Sequence, residues 1–313
     1  MKKQSVFFIA ATLMAVLLIS CEKDDPPTAS FTAAINGYEV TFTSKVTKAT
    51  TYSWDFGDGG TSTEANPVHT YDESGTFTVK LTVKGDGGQA VATEEVEVLA
   101  SFEELLTGGP SAPNGKTWVL CRGYEAGVDG GGVINNDMWV MLGSEENALD
   151  VIGMGQEYDN EFTFYYDGTY EINLVNDTAI AATLFGIFGG EVTLYTMEDN
   201  ALGLNLSSYT VPENATWTLH EEPLVIDVIT NPLGTDVPAP HGDVTITGKK
   251  WISLSEGAYF GILDFPSTRK FVIKEITEDK MKVALFVCAY WSDPTGSGSI
   301  PTYFYHLTFV PKE

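Results

Sequence analysis

Apolar and polar residues alternate along most of the chain with the period of a β-strand. In Thr76-Phe-Thr-Val-Lys-Leu-Thr-Val83, the residues Phe77, Val79, Leu81 and Val83 fall at every second position, which puts them on one face of a half-buried strand. The same rhythm predicts further strands at 116–121, 137–142, 161–166, 169–175, 191–196, 215–220, 224–228, 243–247, 251–254, 258–263, 270–275, 280–290 and 302–310. Clusters of Gly, Asn, Asp and Pro separate them, and the 31 glycines suit turns better than helices. Ser101-Phe-Glu-Glu-Leu-Leu106 is the best helical stretch, and it is short. The pattern predicts an all-β chain.

One hairpin can be registered from the pattern alone. In Glu157-Tyr-Asp-Asn-Glu-Phe-Thr-Phe-Tyr-Tyr-Asp-Gly-Thr-Tyr170 a two-residue loop would pair Phe164 with Glu171 and mix the faces. A three-residue loop, Tyr166-Asp-Gly168, pairs Phe164 with Tyr170, Phe162 with Ile172 and Asn160 with Leu174. Gly168 then takes the left-handed position. This register sends Phe162, Phe164, Tyr170, Ile172 and Leu174 to the core and turns Glu157, Asp159 and Glu161 away from it. The carboxylates would share one strand face at i, i+2 and i+4.

Residues 27–99 read as one unit. "WDFGDG" at Trp54–Gly59 and "HTY" at His69–Tyr71 resemble the PKD domain, whose fold is an immunoglobulin-like β-sandwich. Trp54 and Phe56 alternate and are expected to be buried. His69 is expected to be a structural histidine. Asp55 and Asp58 beside the glycine turn leave a structural calcium ion open, and no other cofactor is expected.

Residues 100–115 read as a linker, and 116–313 as a larger β-domain. "LLTGG" followed by "KTWVL" resembles the C-terminal domain of PKD-bearing surface lipoproteins that accompany SusCD-type glycan importers. The resemblance implies a lectin-like jelly roll or a lipocalin-like β-sandwich that binds a glycan.

The N-terminus changes the picture. Lys2 and Lys3 precede an apolar run from Val6 to Ile19, and Leu18-Ile-Ser-Cys21 resembles a bacterial lipobox. Residues 1–20 are then a signal peptide, Cys21 carries lipid, and 21–26 tether the PKD unit. An ordinary secretory signal is the alternative. Glu22-Lys-Asp-Asp25 resembles the acidic export tag of surface lipoproteins of Bacteroidota. The expected location is the outer membrane, lipid-anchored and facing outward.

Loss of Lys2 and Lys3 with the signal takes the formal net charge from −26 to −28. So acidic a chain is a poor partner for nucleic acid or anionic membranes. Neutral glycans and cations are favoured, and membrane contact is through the lipid alone. Cys121 and Cys288 could pair in an oxidising compartment, or remain two buried thiols.

A lectin meets the C–H faces of sugars with exposed aromatic rings. Trp118 and Trp217 lie among apolar residues and read as core. Trp251 falls on the face opposite Ile252 and Leu254, and Trp139 follows the glycine-rich loop at 130–132. Trp291 opens the loop Trp291-Ser-Asp-Pro-Thr-Gly-Ser-Gly-Ser-Ile-Pro301 beside Tyr290. Trp291, Tyr290, Trp139 and Trp251 are therefore the candidate ligand-binding residues. No nucleophile elbow, phosphate loop or metal-ligand spacing appears, and His220, His241 and His306 stand singly. The reading is a surface glycan-binding lipoprotein that passes its ligand to a SusCD-type importer. One alternative is an endo-acting glycoside hydrolase using Glu157, Asp159 and Glu161. The other is an adhesion or scaffold protein.

Overall fold

The computed structural model describes residues 24–123, 129–138, 140–143, 146–151, 154–182, 192–194, 204–230, 240–264, 269–288 and 300–312. Two compact units result, one ending at Leu99 and the other beginning at Ala100. Cys21, Trp139, Tyr290 and Trp291 lie outside the described residues.

The first unit has strands β1 (Thr28–Asn36), β2 (Glu39–Thr47), β3 (Thr51–Asp55), β4 (Thr61–Ser62), β5 (Val68–Thr70), β6 (Gly75–Gly85) and β7 (Gly88–Val98). They form two antiparallel sheets, β1-β2-β5 and β4-β3-β6-β7. Phe31, Phe42, Trp54, Phe56, Val79, Leu81 and Val83 are buried, as period-2 alternation requires of a sandwich. Trp54 meets the Phe31 ring edge-on at 5.1 Å, a favoured aromatic arrangement. The Tyr71 hydroxyl donates to the Phe56 carbonyl at 3.1 Å. Gly57 has φ 87°, and a Cβ there would stand 2.9 Å from the Thr78 carbonyl oxygen. Only glycine fits that turn.

In the second unit α1 (Phe102–Thr107) comes first. Ser101 caps it: its hydroxyl accepts from Glu104 N at 3.2 Å, and the Glu104 carboxylate accepts from Ser101 N at 2.6 Å. The predicted linker 100–115 is corrected here. Leu106 is fully buried in the core of this unit, and the Trp118 indole N–H donates to the Leu106 carbonyl at 2.9 Å. One buried leucine and one indole bond fasten the segment to the unit that follows it.

The remaining elements are β8 (Lys116–Leu120), β9 (Gly130–Val133), β10 (Val140–Gly143), α2 (Ala148–Val151), β11 (Glu161–Phe164), β12 (Tyr170–Asn173), β13 (Thr178–Ala182), β14 (Val192–Leu194), β15 (Leu204–Ser208), β16 (Trp217–His220), β17 (Leu224–Ile229), β18 (His241–Ile246), β19 (Lys250–Leu254), β20 (Lys270–Ile276), β21 (Met281–Val287) and β22 (Tyr303–Pro311). The hairpin register is as the pattern predicts: Phe164 faces Tyr170 and Phe162 faces Ile172, with Gly168 at φ 90°.

Strands run in the order β12-β11-β8-β22-β21-β20-β19-β16. The two ends of that row then meet. Thr169 bridges Thr216, Tyr170 N donates to Ala215 O at 2.8 Å, and Trp217 N donates to Gly168 O at 2.9 Å. Eight antiparallel strands thus close into a barrel, which leaves its end strands partnered.

The barrel is filled. Trp118, Phe162, Phe164, Tyr170, Trp217, Ile252, Phe271, Leu285 and Phe309 point inward. The stretch Ala258–Leu263, predicted as a strand, is instead an irregular buried segment that inserts Phe260 among them. The Phe260 ring lies 4.2 Å from Phe309, 4.7 Å from Phe271 and 5.1 Å from Phe162. Gly261, at φ 70°, breaks the strand geometry, and a Cβ on it would lie 2.9 Å from Phe309. A small sheet, β13-β15-β14, packs against this core through Ile180, Leu204 and Leu206.

Part of the outer wall is also covered. The hairpin β17–β18 buries Leu224, Val228 and Ile246 against Trp251, Val272, Phe286 and Phe304.

Candidate functional site

Trp251 corrects the expectation of an exposed platform. It does lie on the face opposite Ile252 and Leu254, but the β17–β18 hairpin folds over that face and leaves it 7% exposed. Its indole N–H donates to the Glu222 carbonyl at 2.9 Å, and its ring stacks on His220 at 3.7 Å. His220 in turn contacts Glu222 at 2.9 Å and Ser253 at 2.8 Å. The ring is a structural element of the outer wall. Trp118 and Trp217 are buried as expected.

The carboxylate row Glu157, Asp159 and Glu161 does not form. Gly155–Asp159 is a 3-10 turn, and only Glu161 belongs to a strand. A 3-10 turn repeats every three residues, so i and i+2 no longer share a face. Glu157 turns inward and is 1% exposed, contrary to the outward expectation. Its carboxylate accepts from the Thr178 hydroxyl at 2.7 Å and from the Asn160 amide at 2.6 Å. Burial raises its pKa, and the hydrogen bonds from Thr178, Asn160 and Gln156 oppose the rise. Asp159 instead reaches Arg122 at 3.4 Å, while Glu161 pairs with Lys312.

Asp159 and Glu161 do share one open cleft, of about 810 Å3, on the barrel's outer wall. Val119, Val175, Val310 and Pro311 line it, with Asp279 and Lys312 completing the rim. Val310 and Val119 are direct cross-strand partners, as are Val119 and Glu161. Asp279 and Lys312 carry no motif of their own; pairing of β22 with β8 brings Lys312 to Glu161, and pairing of β21 with β22 brings Asp279 to the same wall.

A second, smaller cavity of about 50 Å3 opens where β8 meets β9 and α2. Leu120, Leu149, Ile180, Leu204 and Ile262 line it, with Cys121 and Tyr158 near Arg122. That volume holds one or two waters, not a sugar ring. Arg122 lies 4.6 Å over the Tyr158 ring and is paired with Asp150 at 3.1 Å. Cys121 and Cys288 are not joined in a disulfide. The Cys288 thiol donates to Ile300 O at 3.0 Å.

The candidate calcium pair has protein partners. Asp55 accepts from Gly57 N at 3.1 Å, Asp58 accepts from Gly60 N at 2.8 Å, and Asp58 meets His69 at 2.6 Å. Among the described residues no cluster of three or more His, Cys, Asp or Glu is placed to hold a metal ion. His69 stacks on Phe56 at 4.0 Å, a structural placement. His241 faces Asp227 at 2.9 Å. His306 is fully buried with no hydrogen-bond partner at either nitrogen. Burial, with Lys274 nearby, lowers its pKa to about 3, so it is neutral.

Residues 25–100 match the family model of the PKD domain, and the first unit is a PKD domain. Collagenase ColA of Bacillus cereus is 62% identical over 42 residues, which are 13% of this chain and 4% of that protein. The PKD1 domain of Vibrio anguillarum Epp matches at 30% identity over 26% of this chain and 100% of that chain, with a TM-score of 0.25. A structure described as carbohydrate-binding modules of the β-sandwich superfamily aligns over 93% of both chains. Its identity is 14% and its TM-score 0.24, too low to bear on fold or ligand. The pre-pro-metalloprotease PrtV of Vibrio cholerae is 24% identical over 162 residues, which are 50% of this chain and 17% of that protein.

Proposed function

We propose that this protein is a cell-surface glycan-binding lipoprotein, lipid-anchored at Cys21, with the PKD domain as spacer and the barrel domain as the binding unit. The supporting observation is the joining, in one chain, of a PKD domain to an all-β body. That combination fits a binding or adhesion role.

The filled interior argues against a lipocalin-like cup, because Phe260 and its neighbours occupy the space where a ligand would sit. Binding then falls to loops and outer walls. Trp291, Tyr290 and Trp139 remain the residues proposed to stack on sugar, and a SusCD-type importer remains the proposed recipient. The loss of the Glu157–Glu161 row removes the geometry that suggested a glycosidase strand, so the proposal is a binder without hydrolytic activity.

Native affinity electrophoresis through a panel of neutral polysaccharides, combined with a reducing-end assay, tests this. Retardation by at least one polysaccharide without release of reducing ends is expected. Released reducing ends would make the protein an enzyme. No retardation by any polysaccharide would leave the adhesion reading.

A further inference from the structure

The barrel's outer wall is treated differently at its two sides. Over β19 to β22 the hairpin β17–β18 covers Trp251, Val272, Phe286 and Phe304. Where β11, β8 and β22 run side by side, Val119 and Val310 are only half-buried and floor the open cleft with Val175 and Pro311. The carboxylates stand on its two sides. Asp159 and Glu161 come from the turn and start of β11, and Asp279 from the turn between β20 and β21.

The nearby cations are already engaged. Lys312 pairs with Glu161. Lys116 directs its ammonium to the carbonyls of Leu105 and Glu278, each at 3.0 Å. Arg122 is shared between Asp150 and Asp159. Asp279 feels the charge of Lys116 without a direct ion pair among the described residues, and the Asp159 side chain is 66% exposed. The cleft is therefore an apolar strip between acidic margins, on a chain of net charge −26.

We propose that this cleft is a docking site for an extended basic segment of a partner protein. Its small apolar side chains would cover Val119 and Val310, while its lysines or arginines would reach Asp159 and Asp279. Charge complementarity selects this occupant. An acidic segment would meet like charge, and a neutral one would cover the exposed Asp159 with only an Arg122 shared with Asp150 to balance it, while a second copy of this chain would bring like charge to like. The proposal does not rest on the sugar-binding reading, and a peptide assay without polysaccharide tests it by itself.

Fluorescence anisotropy of the full chain with a labelled Lys-Val-Lys-Val-Lys-Val peptide tests the proposal, with Ser-Val and Glu-Val hexapeptides as controls. Expected are binding of the Lys-Val peptide alone and an affinity at least tenfold lower in the Asp159→Asn, Asp279→Asn double variant. Val119→Thr, which keeps the side-chain shape on the outer wall, should also weaken binding. Glu94→Gln with Glu95→Gln, exposed acids of the PKD domain, should leave affinity unchanged. Three results overturn the proposal: equal binding of the Ser-Val peptide, unchanged affinity in the Asp159/Asp279 variant, or an equal loss in the Glu94/Glu95 variant. The last would reduce the attraction to overall charge. Self-association abolished by the same Asp159/Asp279 substitutions would assign the cleft to a second copy, also against the proposal.

Discussion

The Glu157 carboxylate accepts the Thr178 hydroxyl proton at 2.7 Å, tying the 3-10 turn before β11 to the start of β13. The Asn160 amide joins the pair, donating to Glu157 at 2.6 Å and to Thr178 O at 3.2 Å, while its oxygen accepts from Val175 N at 2.8 Å. All these partners are neutral. A buried carboxylate without a cation is costly to ionise.

Glu157 should therefore weaken the fold as pH rises. Its pKa is raised in the folded state by burial, so its contribution is complete below the ordinary carboxylate range and is lost as pH climbs through the folded value. Glu157→Gln keeps both contacts if its amide nitrogen donates to Thr178, whose hydroxyl then turns to Val175 O, 3.2 Å away. The Tm of the variant minus that of the parent should grow from pH 4 to pH 8. A difference independent of pH would show that Glu157 does not titrate in this range.

The Asp58–His69 pair should act in the opposite sense. Burial raises the Asp58 pKa, but the hydrogen bonds from His69 and Gly60 outweigh it, and the net direction is down. Stability from this carboxylate is present above the ordinary Asp value and is lost as pH falls through the lowered one. His69→Gln should shift the acid unfolding of the PKD domain, followed by Trp54 fluorescence, to higher pH. No shift would mean the pair contributes only packing.

Phe260 should be the most costly single truncation in the barrel. It fills the interior against Phe162, Phe271 and Phe309, and Phe→Ala in such a setting costs about 3–5 kcal/mol. Urea unfolding of Phe260→Ala should show that loss, with a midpoint shift at unchanged slope. A loss under about 1 kcal/mol would mean the interior collapses around the gap.

The anchor and the sugar platform are tested apart. Cys21→Ala should abolish lipid labelling and release the protein from the membrane fraction; retention of both would end the lipoprotein proposal. Trp291→Ala should weaken polysaccharide binding by about 1–3 kcal/mol, the scale of one lost aromatic stacking partner. Unchanged binding would move the sugar site to another surface, with Trp139 next to be tested.

How far the sequence reaches is clearest where the two outcomes lie side by side. The hairpin around Asp167-Gly168 was legible because a one-residue slip exchanges core and solvent faces, so Phe162, Phe164, Tyr170 and Ile172 admit one register. The PKD unit was legible because its turn glycines and buried aromatics are local and fixed in spacing. Trp251 was placed on the correct face but in the wrong environment. Alternation says which residues share a face, and only the distant β17–β18 hairpin decides that this face is covered. In the second unit β9 and β13 escaped because their runs of glycine and alanine carry little hydrophobic contrast, and β15 escaped although Leu204 and Leu206 alternate with Asn205 and Ser207. Ala258–Leu263 looked like a strand because every burial-seeking residue was present, and a single positive φ at Gly261 turned it into a plug. The cleft at Val119 and Val310 could not be read at all. Its residues are 191 positions apart in number and become neighbours only because β22 returns to pair with β8. Local sequence determined the faces; strand pairing across the chain decided which faces meet water.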